Sequence, residues 1–393
     1  MKVLIFCPSP PYRSAESLVT LKLMKLLIDS GIHVDLIYQN TGDEAEVPDT
    51  LGILEFCHGV RGMGRGRLNI LTWCWYAFRQ GMRRHRTIHY DCIISRVMPI
   101  YGHLPAWLMH VFSRVKWLAN WSDPYPTIIA PEPYGDGEKA KITLLQKLFC
   151  NVMIHSANWH TVPSERQMLL MTQYFPALTQ KISVLPHVML EHRTAEKTAV
   201  AEHAAMQIVH AGSVTMRHPE VMIYAVLQLV ARTPRPPRIH INFIGVAPAD
   251  FQQELAASTV TEYFTLSGEV NYDRAVQEIA QADLVLLLEA RCQTGVFLSS
   301  KLLDYLQENK PVFAISPKQG VMADLIAAHG GGICADCNSP DDVAEKLAII
   351  YQDWERNQLH SASYDTTDLQ KQFSKNEILK KWQQLIQKLT DAQ

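Results

Sequence analysis

Three charged residues in the C-terminal half of the chain have the spacing of an anion site. Lys301 follows the hydroxyl pair Ser299-Ser300, and Asp304 stands three residues later, so in a helix both charges share one face. A helix start presents free N–H groups and a partial positive charge to an anion, and Lys301 adds a full charge. A nucleoside diphosphate suits this set: the phosphates meet the cation and the helix start, and the ribose hydroxyls meet Asp304. The same residues also read as an ordinary helix cap with a surface ion pair. Arg217 lies in a second loop, Gly212-Ser-Val-Thr-Met-Arg-His-Pro219, where Gly212 and Ser213 allow close backbone approach and the guanidinium can grip phosphate with two N–H groups.

These side chains need a frame. Residues 284–288, Leu-Val-Leu-Leu-Leu, form a short apolar run of the kind buried on both faces of a parallel sheet. A polar loop follows, then a helix opened by Ser299-Ser300 with Leu302, Leu303 and Leu306 on one stripe. Lys310-Pro311 ends it before the strand 312–315. Residues 207–212 repeat the theme, a strand running into the Gly212 loop and a helix starting near Glu220. In such sheets ligands sit beyond the carboxyl ends of the strands.

Residues 299–314, Ser-Ser-Lys-Leu-Leu-Asp-Tyr-Leu-Gln-Glu-Asn-Lys-Pro-Val-Phe-Ala, resemble the donor-site helix of GT-B glycosyltransferases, family-4-like, with Asp304 where that family usually has Glu. Residues 212–219 look like the family's pyrophosphate loop, Gly-x-x-x-x-Arg/Lys-x-Pro. Gly268-Glu-Val270 matches the place where main-chain groups hold the nucleobase, and Gly330-Gly-Gly looks like the closing strand. The resemblance implies an α/β chain of two facing Rossmann-like, doubly wound domains with an interdomain cleft. It implies an acceptor-side domain over 1–190, a linker over 190–205, a donor domain over 206–370, and a C-terminal helix, 371–393, returning to the first domain.

The implied activity is transfer of a sugar from a nucleotide-diphosphate sugar to a glycan or lipid-linked acceptor in surface polysaccharide or glycolipid assembly. Asp123, in Ser122-Asp-Pro-Tyr-Pro126 directly after a strand, matches the acid that many family members turn towards the sugar-transfer centre; on sequence alone Asp-Pro is also a plain turn. His103, in the preceding strand-helix loop, is the second candidate. The family's first-loop Gly-Gly pair is replaced by prolines and Ser14-Ala15, with Arg13 as the substitute contact. No cofactor or metal is expected, since two cations can neutralise a leaving diphosphate and no Asp-x-Asp pair occurs. The retaining family's Glu-x7-Glu pattern, ended at Asp304, puts its first member on Val296, which leaves retention or inversion open. A nucleotide-sugar epimerase of the same fold and a non-catalytic nucleotide-sugar-binding subunit are the rival readings. A nicotinamide oxidoreductase lacks its Gly-x-Gly-x-x-Gly turn after the first strand.

At 393 residues the chain exceeds what one core serves, and 47% hydrophobic with 19% charged residues suits two globular domains. A net charge of −2 argues against a nucleic-acid partner. The eight cysteines are scattered apart from Cys334-Ala-Asp-Cys337, which has no second pair to complete a zinc site; a reduced, cytoplasmic setting fits. Met1-Lys-Val-Leu-Ile-Phe-Cys-Pro reads as a first strand rather than a signal peptide, and no stretch reaches the ~20 apolar residues that span a bilayer. Residues 56–90 contain seven arginines, Arg79, Arg83 and Arg84 among them, no acid, and interleaved aromatics. That pattern suits a helix lying on an anionic membrane surface through residues 61–86, peripheral on the inner face. It suits an internal helix with solvated arginines equally.

Overall fold

The computed structural model describes residues 1–42, 49–96, 100–190 and 204–391, so most of the expected linker lies outside the described residues. The chain opens with β1 (Lys2–Phe6), α1 (Ala15–Asp29), β2 (His33–Asn40), β3 (Cys57–Arg61), α2 (Gly66–Ile88), β4 (Cys92–Arg96) and α3 (His103–Ser113). It continues through β5 (Lys116–Asn120), α4 (Leu144–Ser156), β6 (Trp159–Val162), α5 (Glu165–Tyr174) and β7 (Ile182–Val184). These strands form one parallel sheet in the order β3-β2-β1-β4-β5-β6-β7.

A second series follows: β8 (Met206–Ala211), α6 (Glu220–Arg232), β9 (Ile239–Ile244), α7 (Ala249–Ala257), β10 (Phe264–Gly268), α8 (Tyr272–Gln281), β11 (Leu284–Leu288) and β12 (Thr294–Gly295). Then come α9 (Ser300–Gln307), β13 (Val312–Ser316), β14 (Gln319–Gly320), α10 (Val321–His329), β15 (Gly332–Asp336) and α11 (Pro340–Glu355). Its parallel sheet runs β10-β9-β8-β11-β13-β15, with β12 and β14 paired separately. The chain divides into two compact units, Met1–Ala130, Tyr134–Leu190 and Ser374–Gln393 in one, Pro131–Pro133 and Glu191–Phe373 in the other.

Strand alternation assigns the layers of the first unit. Leu4 and Phe6 of β1 pack with Trp73, Met109, Cys150 and Met171 from α2 to α5, while Val3 and Ile5 pack with Leu21 and Met24 of α1 on the opposite face. In the second unit Leu284, Leu286 and Leu288 share a core with Met222 and Leu347.

The helix expected as one element near 371–390 is two, α12 (Thr367–Phe373) and α13 (Lys375–Asp391). Ser374 separates them because its hydroxyl accepts the Glu377 N–H at 3.3 Å and its carbonyl accepts the Ile378 N–H, the contacts of a new helix start. Ile378, Trp382 and Leu385 then join the first unit's core beside α1.

Each sheet reverses its winding once, between β1 and β4 in the first unit and between β8 and β11 in the second. Loops leaving two strands at such a point diverge and open a crevice at the carboxyl edge. The loop after β8 carries Arg217 and the segment after β11 leads into α9, whose first turn holds Lys301; β4 leads to α3, which begins at His103, and Asp123 stands in the loop after β5.

Candidate functional site

In the second unit Lys301, in the first turn of α9, reaches back over the loop after β8. Its Nζ donates to the Ser213 carbonyl at 3.3 Å and stands 3.4 Å from His210 Nε2. His210 is fully buried with Nδ1 2.9 Å from the Leu286 carbonyl; a carbonyl only accepts, so Nδ1 carries the proton and Nε2 accepts from Lys301. Loss of hydration, then Lys301, holds His210 well below the ordinary imidazole value, so it stays neutral. Lys301 itself is lowered to about 7, by loss of hydration first and by the Arg217 charge second.

Arg217 crosses the switch point, its Nη1 donating to the Leu288 carbonyl at the end of β11 at 2.7 Å. The residues on either side of it, Met216 and His218, both take left-handed backbone (φ 63° and 50°), a strained placement of the kind that collects at binding loops. Ser213 turns its hydroxyl into the loop, where it accepts the Thr215 N–H at 3.2 Å.

Gly212 has φ +111°, and a Cβ there would lie 2.4 Å from Lys301 Cε. Its glycine therefore clears room for the lysine stem as well as bending the chain. Gly245, at φ +122°, does the same for the backbone, since a Cβ on it would sit 2.6 Å from the Gly212 carbonyl carbon.

Asp304 stands one turn beyond Lys301 and accepts from the Tyr272 hydroxyl at 2.8 Å. Tyr272 opens α8 four residues after Gly268, whose φ is +68° and whose carbonyl accepts the Gly245 N–H at 2.7 Å; Val270 between them is exposed. Ser299 occupies the N-cap position of α9, but its hydroxyl makes no capping hydrogen bond, which corrects the expected Ser299-Ser300 cap. Further along α9, the fully buried Tyr305 ties the helix to the sheet: its hydroxyl accepts the Ala211 N–H at 3.0 Å and donates to the Leu286 carbonyl at 3.2 Å.

Glu289, directly after β11, is buried and accepts a hydrogen bond from the Ser316 hydroxyl. Burial raises its carboxyl, against the pull of Ser316 and Arg217. It ties the loop after β11 to the end of β13.

In the first unit Asp123 follows β5 as expected, beside a buried polar cluster. Arg96 Nε donates to Glu16 Oε1 at 2.8 Å, and the one proton of the Ser122 hydroxyl has two acceptors in reach, Glu16 Oε1 at 2.8 Å and Asn120 Oδ1 at 3.0 Å. Burial first, and then the Glu16 charge, push Asp123 up to about 6, while Arg96 pulls the other way. Arg96 Nη2 is buried without a hydrogen-bond partner among the described residues. Arg13 is exposed, next to the Ser14 capping box of α1.

His103 requires correction. It opens α3 rather than lying in a loop, is fully buried against Trp117 and Trp121, and has Nδ1 2.6 Å from the Ser95 hydroxyl. Burial lowers it to about 3, so it is a neutral core residue. Arg84 is also not a surface contact. With His33, His58 and Tyr90 it surrounds the buried Asp35 carboxylate, Nη2 to Oδ1 at 2.9 Å. Arg79 and Arg83 remain exposed on α2.

The structure thus gathers Gly212, Ser213, Arg217 and Lys301 at one crevice, with Asp304 one turn away, and sets Asp123 in the other unit. His210 and Tyr272 escaped sequence reasoning, while Glu289 entered it only as a stand-in too far back for the first Glu of the retaining pattern and Tyr305 only as the aromatic of the donor-helix resemblance. Tyr272 alone had a signal, its place at the start of the helix after Gly268-Glu-Val270. Among the described residues no three His, Cys, Asp or Glu gather as a metal-ligand set, and no helix is long and apolar enough to cross a membrane.

No family model matches the chain, and no curated protein matches it in sequence. Solved structures match along its whole length. Sucrose-phosphate synthase from Thermosynechococcus elongatus has a TM-score of 0.72 at 13% identity, covering 100% of this chain and 99% of its own. The pneumococcal O-GlcNAc transferase GtfA, solved with UDP and GlcNAc, has 0.66 at 11%, covering 99% of each. WaaG, a glycosyltransferase of lipopolysaccharide biosynthesis, has 0.61 at 11%, covering 95% of each. Two parallel doubly wound units, matched end to end by sugar transferases of this architecture, give the chain the GT-B fold.

Proposed function

We propose that the protein is a glycosyltransferase that moves a sugar from a nucleoside-diphosphate sugar to a glycan or lipid-linked acceptor in surface polysaccharide or glycolipid assembly. One observation carries the reading: Arg217, from the loop leaving β8, and Lys301, from the first turn of α9, meet at the switch point of the second sheet, their charges close enough to depress Lys301. The phosphates take these cations and the uncapped start of α9; Asp304, oriented by Tyr272, takes ribose hydroxyls; the backbone at Gly268 to Val270 takes the base. As the sugar–phosphate bond breaks, charge grows on the departing diphosphate, and fixed cations there stabilise the transition state more than the ground state.

Asp123, its carboxyl raised to about 6, is the base for the acceptor hydroxyl. The donor is the only small molecule the reaction needs. The protein works peripherally on the cytoplasmic face of an anionic membrane, which α2 meets through the exposed Trp75, Arg79 and Arg83; Arg84 is excluded by its bond to Asp35.

The test supplies a panel of nucleotide sugars with membrane-extracted acceptors and follows release of nucleoside diphosphate. Acceptor-dependent release is expected, and it should fall by ~10²–10³-fold in Lys301→Met and in Arg217→Met. Interconversion of the sugar without acceptor identifies an epimerase instead, and nucleotide binding with no turnover identifies a binding subunit.

A further inference from the structure

The first turns of α4 carry an apolar ridge that the first unit leaves uncovered. Leu144, Leu145 and Leu148 are 81%, 78% and 59% exposed. The helix start beneath them is firmly set, because Thr143 and Gln146 form a reciprocal capping box that needs nothing from the leucines. A soluble surface scatters its exposed apolar side chains, so three on one helix start mark a contact surface.

Charge selects the occupant. Between Glu138 and Glu165 the chain has no acidic residue, while Lys139, Lys141 and Lys147 flank the ridge. The whole chain is nearly neutral, so this bias is local. The first turns of α2 repeat the arrangement, with Leu68, Leu71 and Trp75 exposed and Arg79 and Arg83 further along the same stripe. Both helices pack on the same face of the sheet, with α3 between them, and both follow a strand. A helix returning across a parallel sheet begins at the sheet's carboxyl edge, so both apolar starts lie at the edge where Asp123 leaves β5. Exposed leucine tips with exposed lysines within a few residues along the chain match a layer whose surface is anionic and whose interior is hydrocarbon.

We infer that the leucine ridge at the start of α4 inserts into an anionic lipid bilayer and, with the apolar start of α2, sets the Asp123 edge of the first unit against the membrane. This rests on the reading of the acceptor as lipid-linked, and it assigns insertion to residues outside the basic stretch 61–86. The ridge holds depth, and the arginines of α2 supply long-range attraction.

The experiment floats the full chain with vesicles of phosphatidylcholine alone or mixed with phosphatidylglycerol. The parent should float with the mixed vesicles only. Leu144→Ser/Leu145→Ser/Leu148→Ser should lower the bound fraction about tenfold or more while leaving the melting temperature and nucleotide response unchanged. Leu145→Trp should show a blue-shifted emission with mixed vesicles. A triple-serine variant that floats like the parent overturns the ridge while leaving α2 as the membrane contact. A parent that floats with neither vesicle overturns both, while the donor-site reading stands on nucleotide binding. A triple variant that floats normally but turns a parent dimer into a monomer makes the ridge a contact between copies and also overturns the inference.

Discussion

Lys301 makes nucleotide binding take up a proton, and the pH dependence follows from its surroundings. In the empty site loss of hydration and the Arg217 charge lower it to about 7, so half of the sites are charged at pH 7 and only about one in a hundred at pH 9. Binding a diphosphate requires the charged form and draws the lysine back towards its ordinary value. Affinity is therefore highest below pH 7 and falls as pH rises, by up to about tenfold per unit, or about 2 kcal/mol between pH 7 and 9. His210 stays neutral throughout, and a terminal phosphate completes its last ionisation near pH ~6, so neither masks the effect. Titration calorimetry of a nucleoside diphosphate at pH 8, in two buffers of different ionisation enthalpy, should give an uptake of about 0.9 proton per site, and Lys301→Met should abolish it. A flat affinity from pH 7 to 9 with no buffer-dependent heat refutes the reasoning.

Gly212→Ala should destabilise the second unit by about 1–3 kcal/mol in urea unfolding, because φ +111° is backbone that residues with a Cβ rarely adopt; since the tip of Lys301 can move aside, most of the loss should persist in a Lys301→Ala background. Transfer activity should fall as pH drops through about 6, where Asp123 protonates; Glu16→Gln should move that midpoint lower, and Asp123→Asn should reduce the rate by ~10²-fold or more, both read from pH–rate profiles. Asp35→Asn should cost about 2–4 kcal/mol in urea unfolding, since the carboxylate is buried and its loss strands Arg84 and the hydrogen bond from Tyr90; a cost under about 0.5 kcal/mol contradicts that account.

What the sequence made legible was local and charged. Lys301, Asp304 and Arg217 stood out because their segments resemble a donor-site helix and a pyrophosphate loop, whereas spacing alone also allowed a plain helix cap with an ion pair, and the doubly wound order followed from strands and helices alternating along the chain. The contact between Gly212 and Lys301 stayed hidden, because the lysine lies 89 residues away and enters from the first turn of α9. His210 and Tyr305 sit inside apolar runs that read as plain core, and only the fold shows them orienting Lys301 and α9. His103 misled because a polar residue after a strand looks exposed, whereas two tryptophans enclose it. Arg84 misled because its partner, Asp35, is 49 residues upstream on a neighbouring element.

The central claim is that Arg217 and Lys301 hold the same diphosphate. Equilibrium titration of a nucleoside diphosphate into the parent, Arg217→Met and Lys301→Met at pH 7 tests it most directly. Each single variant should bind at least about tenfold more weakly while still unfolding in one cooperative transition in the absence of nucleotide. Two variants that bind the nucleotide as the parent does would contradict it.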